Sequence, residues 1–575
     1  MQNKKQTLMR STMILFVAMI VVKLFGFLFK IPLANILGEV GSGYFNTAYS
    51  IFTPIYTLSV AGLPSAVSKL VAEKCALEQY ADIKRLLKIS RWFFICLGVV
   101  GSSALFAFAR PICDMLKNPN AYYSVLAISP AIFFGCVIAS YRGYFEGLQN
   151  MTPTAVSQII EVVVKLVCGL LGSYLVLDYS LKQYQSHGAI FGIAISSDAD
   201  AQVISLSFAS AACIVGVCIS MAVSTLFLAL RYKFGENTIS QVCLKQPTRY
   251  RFLIKRLIRT ALPIAVASIV LNVSSLIDVA TIMRRLSVAV QNGKDIIFLQ
   301  YGTYLPQGIH TSEIPNFIYG AYSGFAVSIF TMVPYFTGIF GKSALPAIAN
   351  AWSCGNYNLV QKNVLSVLRI TCLIALPSGA GIFAMAKPIL KMLFPGQPAA
   401  VYIASPVLSL MGIGVIFLSL VTPIFSMLQA IGKADIPVKL MPIGIAIKFI
   451  CNYIFVAIPN VNIKGASIGT ILCYGFIVIL SIIILSKKVK LNLSFYSVFI
   501  KPLLCSILAI TCGYLLYMQT EQKLSNSVSV TFSIILTAVF YAILLLKTKT
   551  LTKNDILLLT KSEKLRKTLD LFVKK

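Results

Sequence analysis

Apolar residues along this chain gather into runs of about 20 residues or more, separated by short charged or turn-rich stretches. A run of that length matches a hydrocarbon core about 30 Å thick crossed at 1.5 Å per residue. Backbone polar groups find no water inside lipid, so each run must satisfy them within itself, which selects helices. The runs lack the alternating ten-residue pattern of an outer-membrane barrel. The pattern therefore predicts an all-α membrane protein of about fourteen transmembrane helices. They fall at about 11–37, 43–70, 90–113, 121–147, 152–177, 204–230, 257–283, 315–348, 363–389, 398–430, 435–458, 464–486, 497–517 and 527–546. The connections 178–203 and 286–314 read as long outer loops.

Charge sorts the connections into two sets. One holds Lys4, Lys5 and Arg10, then Lys84, Arg85, Lys88 and Arg91, the basic stretch 231–256, Lys433, Lys487, Lys488 and Lys490, and the tail from Lys547. The alternate set holds far fewer, such as Lys117, Lys182, Lys294 and Lys523. Lysine and arginine mark cytoplasmic loops, so both termini are expected in the cytoplasm, which requires an even number of spans. The first run is too long for a cleaved signal and reads as the first span. The basic tail suits either an anionic inner leaflet or solvent.

The chain also echoes itself at an offset of about 280 residues. Phe106-Ala107-Phe108-Ala109-Arg110-Pro111-Ile112 aligns with Phe383-Ala384-Met385-Ala386-Lys387-Pro388-Ile389. Leu63-Pro64-Ser65-Ala66 pairs with Leu345-Pro346-Ala347-Ile348, and Leu148-Gln149 with Leu428-Gln429. Each of the last pair is followed by a proline (Pro153, Pro437) and then by a lysine inside the next span (Lys165, Lys448). The expected organisation is a six-helix lobe over 1–230, a basic cytoplasmic linker 231–256, a second six-helix lobe 257–490, two further helices over 491–546 and a basic tail 547–575. Six is even, so the lobes share one orientation, with a pseudo-twofold axis along the membrane normal. That arrangement suits rocking-type alternating access.

Composition agrees. The chain is 57% hydrophobic and 12% charged, with mean hydropathy +0.82. A soluble domain carries about 25% charged residues, so this one could not cover a wetted surface. The net charge of +31 is explained by the basic loops and needs no nucleic acid. The 14 cysteines form no C-x-x-C, and the histidines are His187 and His310, so no metal or other cofactor is expected. Gly341-Lys342-Ser343 mimics the tail of a phosphate-binding loop, but Phe336 stands where its first glycine belongs and an apolar helix precedes it. No constellation for hydrolysis is present, so the chain reads as no enzyme.

Charges inside the runs carry the candidate chemistry, because each costs roughly 2.5–3.5 kcal/mol at mid-membrane. Lys23 lies deep in the first span, Lys30 nearer its outer boundary, and Lys165 and Lys448 near the middle of spans 5 and 11. Glu161 stands one turn before Lys165, which permits an intrahelical ion pair or an ion-coupling site. Arg142 ends span 4, either as an interface anchor or as a contact for substrate. Asp278 is a second acid for coupling, and Arg284 and Arg285 lie at the outer end of span 7 as gate or anchor. The balance is positive, which fits an anionic cargo such as a phosphorylated lipid.

Three stretches carry a resemblance. They are Ala61-Gly62-Leu63-Pro64-Ser65-Ala66-Val67-Ser68-Lys69-Leu70-Val71-Ala72-Glu73, then Tyr141-Arg142-Gly143-Tyr144-Phe145-Glu146-Gly147-Leu148-Gln149-Asn150-Met151-Thr152-Pro153-Thr154-Ala155, and Ile447-Lys448-Phe449-Ile450-Cys451-Asn452-Tyr453 followed by Ile463-Lys464-Gly465-Ala466-Ser467-Ile468-Gly469-Thr470. They closely resemble the stage V sporulation protein B group of Gram-positive bacteria, within the multidrug/oligosaccharidyl-lipid/polysaccharide exporter superfamily and beside the lipid II flippases. The resemblance implies fourteen helices in two lobes around a V-shaped cavity, and export of undecaprenyl-diphosphate-linked sugars. In the flippase branch cavity arginines contact the diphosphate. Lys23 stands where that branch has arginine, while Tyr56, Thr57 and the stretch around Ile329 carry no matching charge. The expected cargo is thus a lipid-linked anionic oligosaccharide carried by a monomer in the bilayer, with cell-wall synthases as candidate partners. A cation-coupled multidrug exporter of the same fold and a non-transporting scaffold of wall synthesis are the alternatives.

Overall fold

The computed structural model describes residues 8–57, 63–77, 79–148, 150–195, 197–234, 249–259, 274–306, 309–490 and 496–548. Helix dominates them, and the strands among them are one antiparallel pair, Ala189–Ile190 with Ile193–Ala194. Twelve of the described helices are long and apolar enough to cross a membrane. The chain is therefore an all-α, multi-pass membrane protein. The first of the twelve lies within the 50-residue helix Leu8–Thr57, which Gly38 breaks at φ 58° and ψ −159°. That backbone conformation would crowd any Cβ, so glycine is required there. The break falls between the first two expected spans. The expected span 257–283 is described at 257–259 and again from Ser274 onward, and the linker and tail lie outside the described residues over 235–248 and 549–575.

The residues divide into two compact units, Met1–Val290 with Leu305–Gly320, and Gln291–Tyr304 with Ala321–Lys575. In the first unit, helix Tyr122–Gly147 is buried continuously from Gly135 to Phe145. Glycines let its neighbours close in. A Cβ on Gly143 would stand 2.7 Å from the Pro64 carbonyl oxygen, and one on Gly147 would stand 2.6 Å from Val71 Cβ. In the second unit most of helix Pro398–Ala430 is buried, and the C-terminal helices Lys501–Glu521 and Asn526–Lys547 pack on Tyr357–Leu393. There the Tyr541 hydroxyl donates to the Leu373 carbonyl at 3.1 Å and Asn526 Nδ2 to the Pro388 carbonyl at 3.2 Å.

Two expectations are corrected. The connection 178–203 is mostly helix: Thr152–His187 has 36 residues and Asp198–Phe234 has 37, so each is about 54 Å long at 1.5 Å per residue. They outrun a hydrocarbon core of about 30 Å and continue as polar helices, which hydropathy does not register. The described residues of the connection 286–314 are also largely helical. Helix Ser274–Asn292 runs on past the expected span, Lys294–Tyr301 follows, and Ile314–Gly320 opens the next. The Tyr301 hydroxyl donates to Asn462 Oδ1 at 2.8 Å, and Tyr304 stacks on Tyr402 at 4.3 Å, all within the second unit.

The sequence echo has a backbone counterpart. Helix Tyr80–Ala107 ends at Phe108 (φ −94°, ψ 8°) and Ala109–Met115 begins at once. Helix Tyr357–Leu393 leaves helical geometry at Met385 (φ −113°, ψ 22°), the aligned residue. Pro111 and Pro388 explain both breaks: each lacks the N–H that would reach the carbonyl four residues back, and its ring crowds that carbonyl. The match continues at Asn118 (φ −138°, ψ 69°) and Gln397 (φ −127°, ψ 68°), each followed by a proline that opens the next helix.

Candidate functional site

In the first unit, helix Tyr122–Gly147 turns its glycine face to helix Leu63–Ala76 and sends Arg142 toward Thr152–His187. Arg142 is 2% exposed; its Nε donates to Ser157 Oγ at 3.0 Å and a terminal nitrogen to Glu161 Oε2 at 2.9 Å. Ser157 passes its own hydroxyl to the Thr154 carbonyl, and Ser224 of the next long helix donates to the Ser157 carbonyl. The structure thus brings two predicted residues together, and it corrects the predicted pairing. Glu161 holds Arg142, and Lys165 forms no ion pair among the described residues; its ammonium stands 4.8 Å from the Phe29 ring centre instead. Phe29 is buried and leads an aromatic row through Phe45, Tyr49 and Phe52, with centroids 5.2 to 6.3 Å apart.

In the second unit Lys448 is buried, 6.0 Å from the Tyr474 ring centre. Lys165 and Lys448 each stand 13 positions beyond the first residue of their helices, Thr152 and Asp435. At 1.5 Å per residue that is about 20 Å from the start of each helix, with Lys448 about 10 Å from the far end of its own. Lys30 is half-buried in the first helix. Lys23 lies in the same helix, but its side chain falls outside the described residues. Asp278 and Arg285 are half-buried on Ser274–Asn292, while exposed Arg284 donates from Nε to the Met115 carbonyl at 3.0 Å. That bond ties Ser274–Asn292 to the turn after Ala109–Met115.

A polar seam in the first unit was not foreseen. Glu313, just before Ile314–Gly320, is 5% exposed; its Oε2 accepts from the Tyr44 hydroxyl and its Oε1 from Asn120 Nδ2, both at 2.7 Å. Asn118 Nδ2 donates to Thr47 Oγ1 at 3.0 Å and to Asn316 Oδ1 at 2.9 Å, and Asn316 Nδ2 donates to the Val40 carbonyl at 3.1 Å. A Cβ on Gly320 would overlap the Glu39 carbonyl oxygen, and one on Gly43 would overlap Asn316 Oδ1. Glycine at both positions lets Ile314–Gly320 lie directly on the helix that follows Gly38. Burial pushes the Glu313 carboxyl above the usual range, and the bonds from Tyr44 and Asn120 and the nearby His310 offset part of that. Half-buried Arg369, inside helix Tyr357–Leu393, is a further membrane-helix cation that the sequence reading passed over.

Comparison with known proteins covers nearly the whole chain. Residues 8–352 match the family described as Polysaccharide biosynthesis protein, and residues 321–539 match that described as Lipid II flippase MurJ. Stage V sporulation protein B of Bacillus subtilis is 24% identical over 558 residues, 96% of this chain and 97% of that one. The lipid II flippase MurJ of the same organism is 22% identical over 488 residues, 82% of each chain. Among solved structures, an inward-facing multidrug resistance MATE family transporter of the MOP superfamily superposes with a TM-score of 0.61 at 14% identity, over 83% of this chain and 98% of that one. Lipid II flippase MurJ in an inward closed conformation gives 0.57 at 16% identity, over 92% and 98%. The structural likenesses show the fold.

Proposed function

The chain belongs to the polysaccharide biosynthesis protein family, and from that membership we propose that it flips undecaprenyl-diphosphate-linked sugars, of the lipid II kind, from the cytoplasmic to the outer leaflet by alternating access. The two halves of the sequence repeat serve as the lobes that alternate. Both termini face the cytoplasm of a bacterial cell membrane. The chain acts as a transporter without a catalytic step of its own.

One observation carries the reading of the cargo. Lys165 holds a charge about 20 Å along a membrane helix with an aromatic ring beside it and no carboxylate paired to it among the described residues. A cation–π contact returns about 0.5–2 kcal/mol, less than the roughly 2.5–3.5 kcal/mol that a mid-membrane cation costs. A diphosphate passing through supplies the missing anion. By the same reasoning Lys448, at the corresponding place in the repeat, is a candidate phosphate contact within the second unit, and Lys23 and Lys30 are candidates on the first helix. An exporter of cationic drugs would need acids in these places. Glu161, the best placed, is already held by Arg142.

Reconstitution into liposomes with lipid II tests this. Lys165→Ala and Lys448→Ala should each slow flipping about tenfold or more, as loss of a charge-assisted contact worth about 1.5–3 kcal/mol requires. Lys→Arg at either place should retain most of the rate. Undiminished flipping by both alanine variants removes these lysines from the site. Accumulation of a different lipid-linked intermediate in a deletion strain reassigns the cargo.

A further inference from the structure

Glu313 is a buried acid whose hydrogen-bond donors among the described residues are neutral. Its partners are the Tyr44 hydroxyl, from the helix after Gly38, and the Asn120 amide, from the turn that precedes Tyr122–Gly147. No lysine or arginine pairs with it among the described residues. The titratable groups facing it are Tyr44 on one side and, from its own stretch, His310. The imidazole of His310 is in turn 2.9 Å from Asp200 at the start of Asp198–Phe234. The turn contributes asparagines, which do not titrate. A carboxylate buried without a counter-charge is more costly than the neutral acid, because desolvation penalises the charged form alone.

The place of this acid gives the cost a mechanical meaning. Residues 305–320 pack with the first unit, although the chain on either side of them belongs to the second. Glu313 plugs that returning stretch into the first unit between the His310–Asp200 contact and the Asn316 bonds with the close contact at Gly320.

We propose that Glu313 is a proton-binding site, and that the proton it holds fastens the 309–320 segment to the helix bearing Tyr44 and the turn bearing Asn120. When Glu313 ionises, its proton passes to water and the carboxylate is drawn toward solvent, so the segment loosens. The direction follows from linkage. The docked form binds the proton more tightly than the freed, hydrated form, so acid favours docking. Between the ordinary glutamate range of the freed form and the raised value of the docked form, the ratio of docked to freed segment falls by up to about tenfold per pH unit, as one proton requires, and above the raised value it levels off. The inference is independent of what the protein carries.

Hydrogen exchange on the full chain in lipid nanodiscs tests it, with the rate of each amide in 309–320 divided by its intrinsic rate at each pH. Protection in the wild type should fall as pH rises above the ordinary glutamate range, because burial raises the value of the docked form. Glu313→Gln, which mimics the neutral acid, should hold high protection throughout. Flat protection in the wild type, or an undiminished fall in Glu313→Gln, overturns the proposal. Tyr44→Phe leaves the acid in place but removes a donor that favours its ionised form, so the midpoint should move to higher pH. A midpoint that stays or falls overturns the proposal as well. The infrared band of a protonated carboxyl group, present in the wild type at low pH and weakened in Glu313→Gln, reads the proton directly. Its absence from the wild type is equally fatal.

Discussion

Arg142 shows what a buried charge demands at the scale of one residue. It satisfies two nitrogens, on Ser157 and Glu161, and both acceptors lie on a helix that starts ten residues after it in sequence. Removing one partner of such a pair strands the other, at about 3–5 kcal/mol. Arg142→Ala should therefore lower the unfolding temperature in detergent sharply. The double variant Arg142→Met with Glu161→Met, which removes both charges, should recover most of the loss. Equal loss in the single and double variants would mean that the volume of the arginine, and not the pairing, matters. The sequence named both residues but offered Glu161 only Lys165 or an ion-coupling role, because a one-turn spacing marks a possible neighbour along a helix and is silent about neighbours on other helices. Glu313 was invisible for a related reason. An acid in a polar stretch carries no hydropathy signal, and its burial arises only when that stretch returns to Tyr44 and Asn120.

At the scale of the element, hydropathy located the spans because lipid imposes the pattern it measures. It lost the helices where lipid ends. The last turns of Thr152–His187 carry Asp178, Lys182 and His187, and the Lys182 ammonium meets Asp178 at 2.7 Å on an exposed face. Those residues read as a loop although their backbone is helical. Glycine packing was partly legible, since Gly143 and Gly147 stand one turn apart and so share a helix face. Their partners were not. Adding a methyl group at Gly147 forces it against Val71, and at Gly143 against Pro64, which should cost about 1–3 kcal/mol each. Gly381, inside Tyr357–Leu393, has open space where its Cβ would stand. Gly381→Ala should instead add about 0.5–1 kcal/mol from helix propensity alone. Thermal unfolding of the three variants side by side checks the contrast, and a stabilised Gly147→Ala would refute the close packing. The paired breaks at Phe108 and Met385 were legible in the Arg110-Pro111 and Lys387-Pro388 echo, because proline acts on its own backbone whatever surrounds it.

For the whole molecule, the proposed cargo fixes a response to voltage. A diphosphate leaving a cell that is negative inside gains about 2.3 kcal/mol per charge for each 100 mV. In proteoliposomes, flipping toward the positive side should accelerate when a potassium gradient with valinomycin sets that polarity, and should slow when the gradient is reversed. A rate indifferent to polarity would argue for movement of a neutralised headgroup. The division of the chain into units bears on synthesis as well as on transport. When the ribosome has made residue 290, the first unit still lacks residues 305–320. The groups that those residues later cover, among them Tyr44, Asn118 and Asn120, have by then no partners from that stretch. The first unit is thus completed only after part of the second has been translated, and a nascent chain stalled between the two presents an open polar seam for chaperones or membrane proteases to recognise. A fragment ending at residue 290 should accordingly be degraded faster in cells than one ending at residue 325, as a pulse-chase measurement would show.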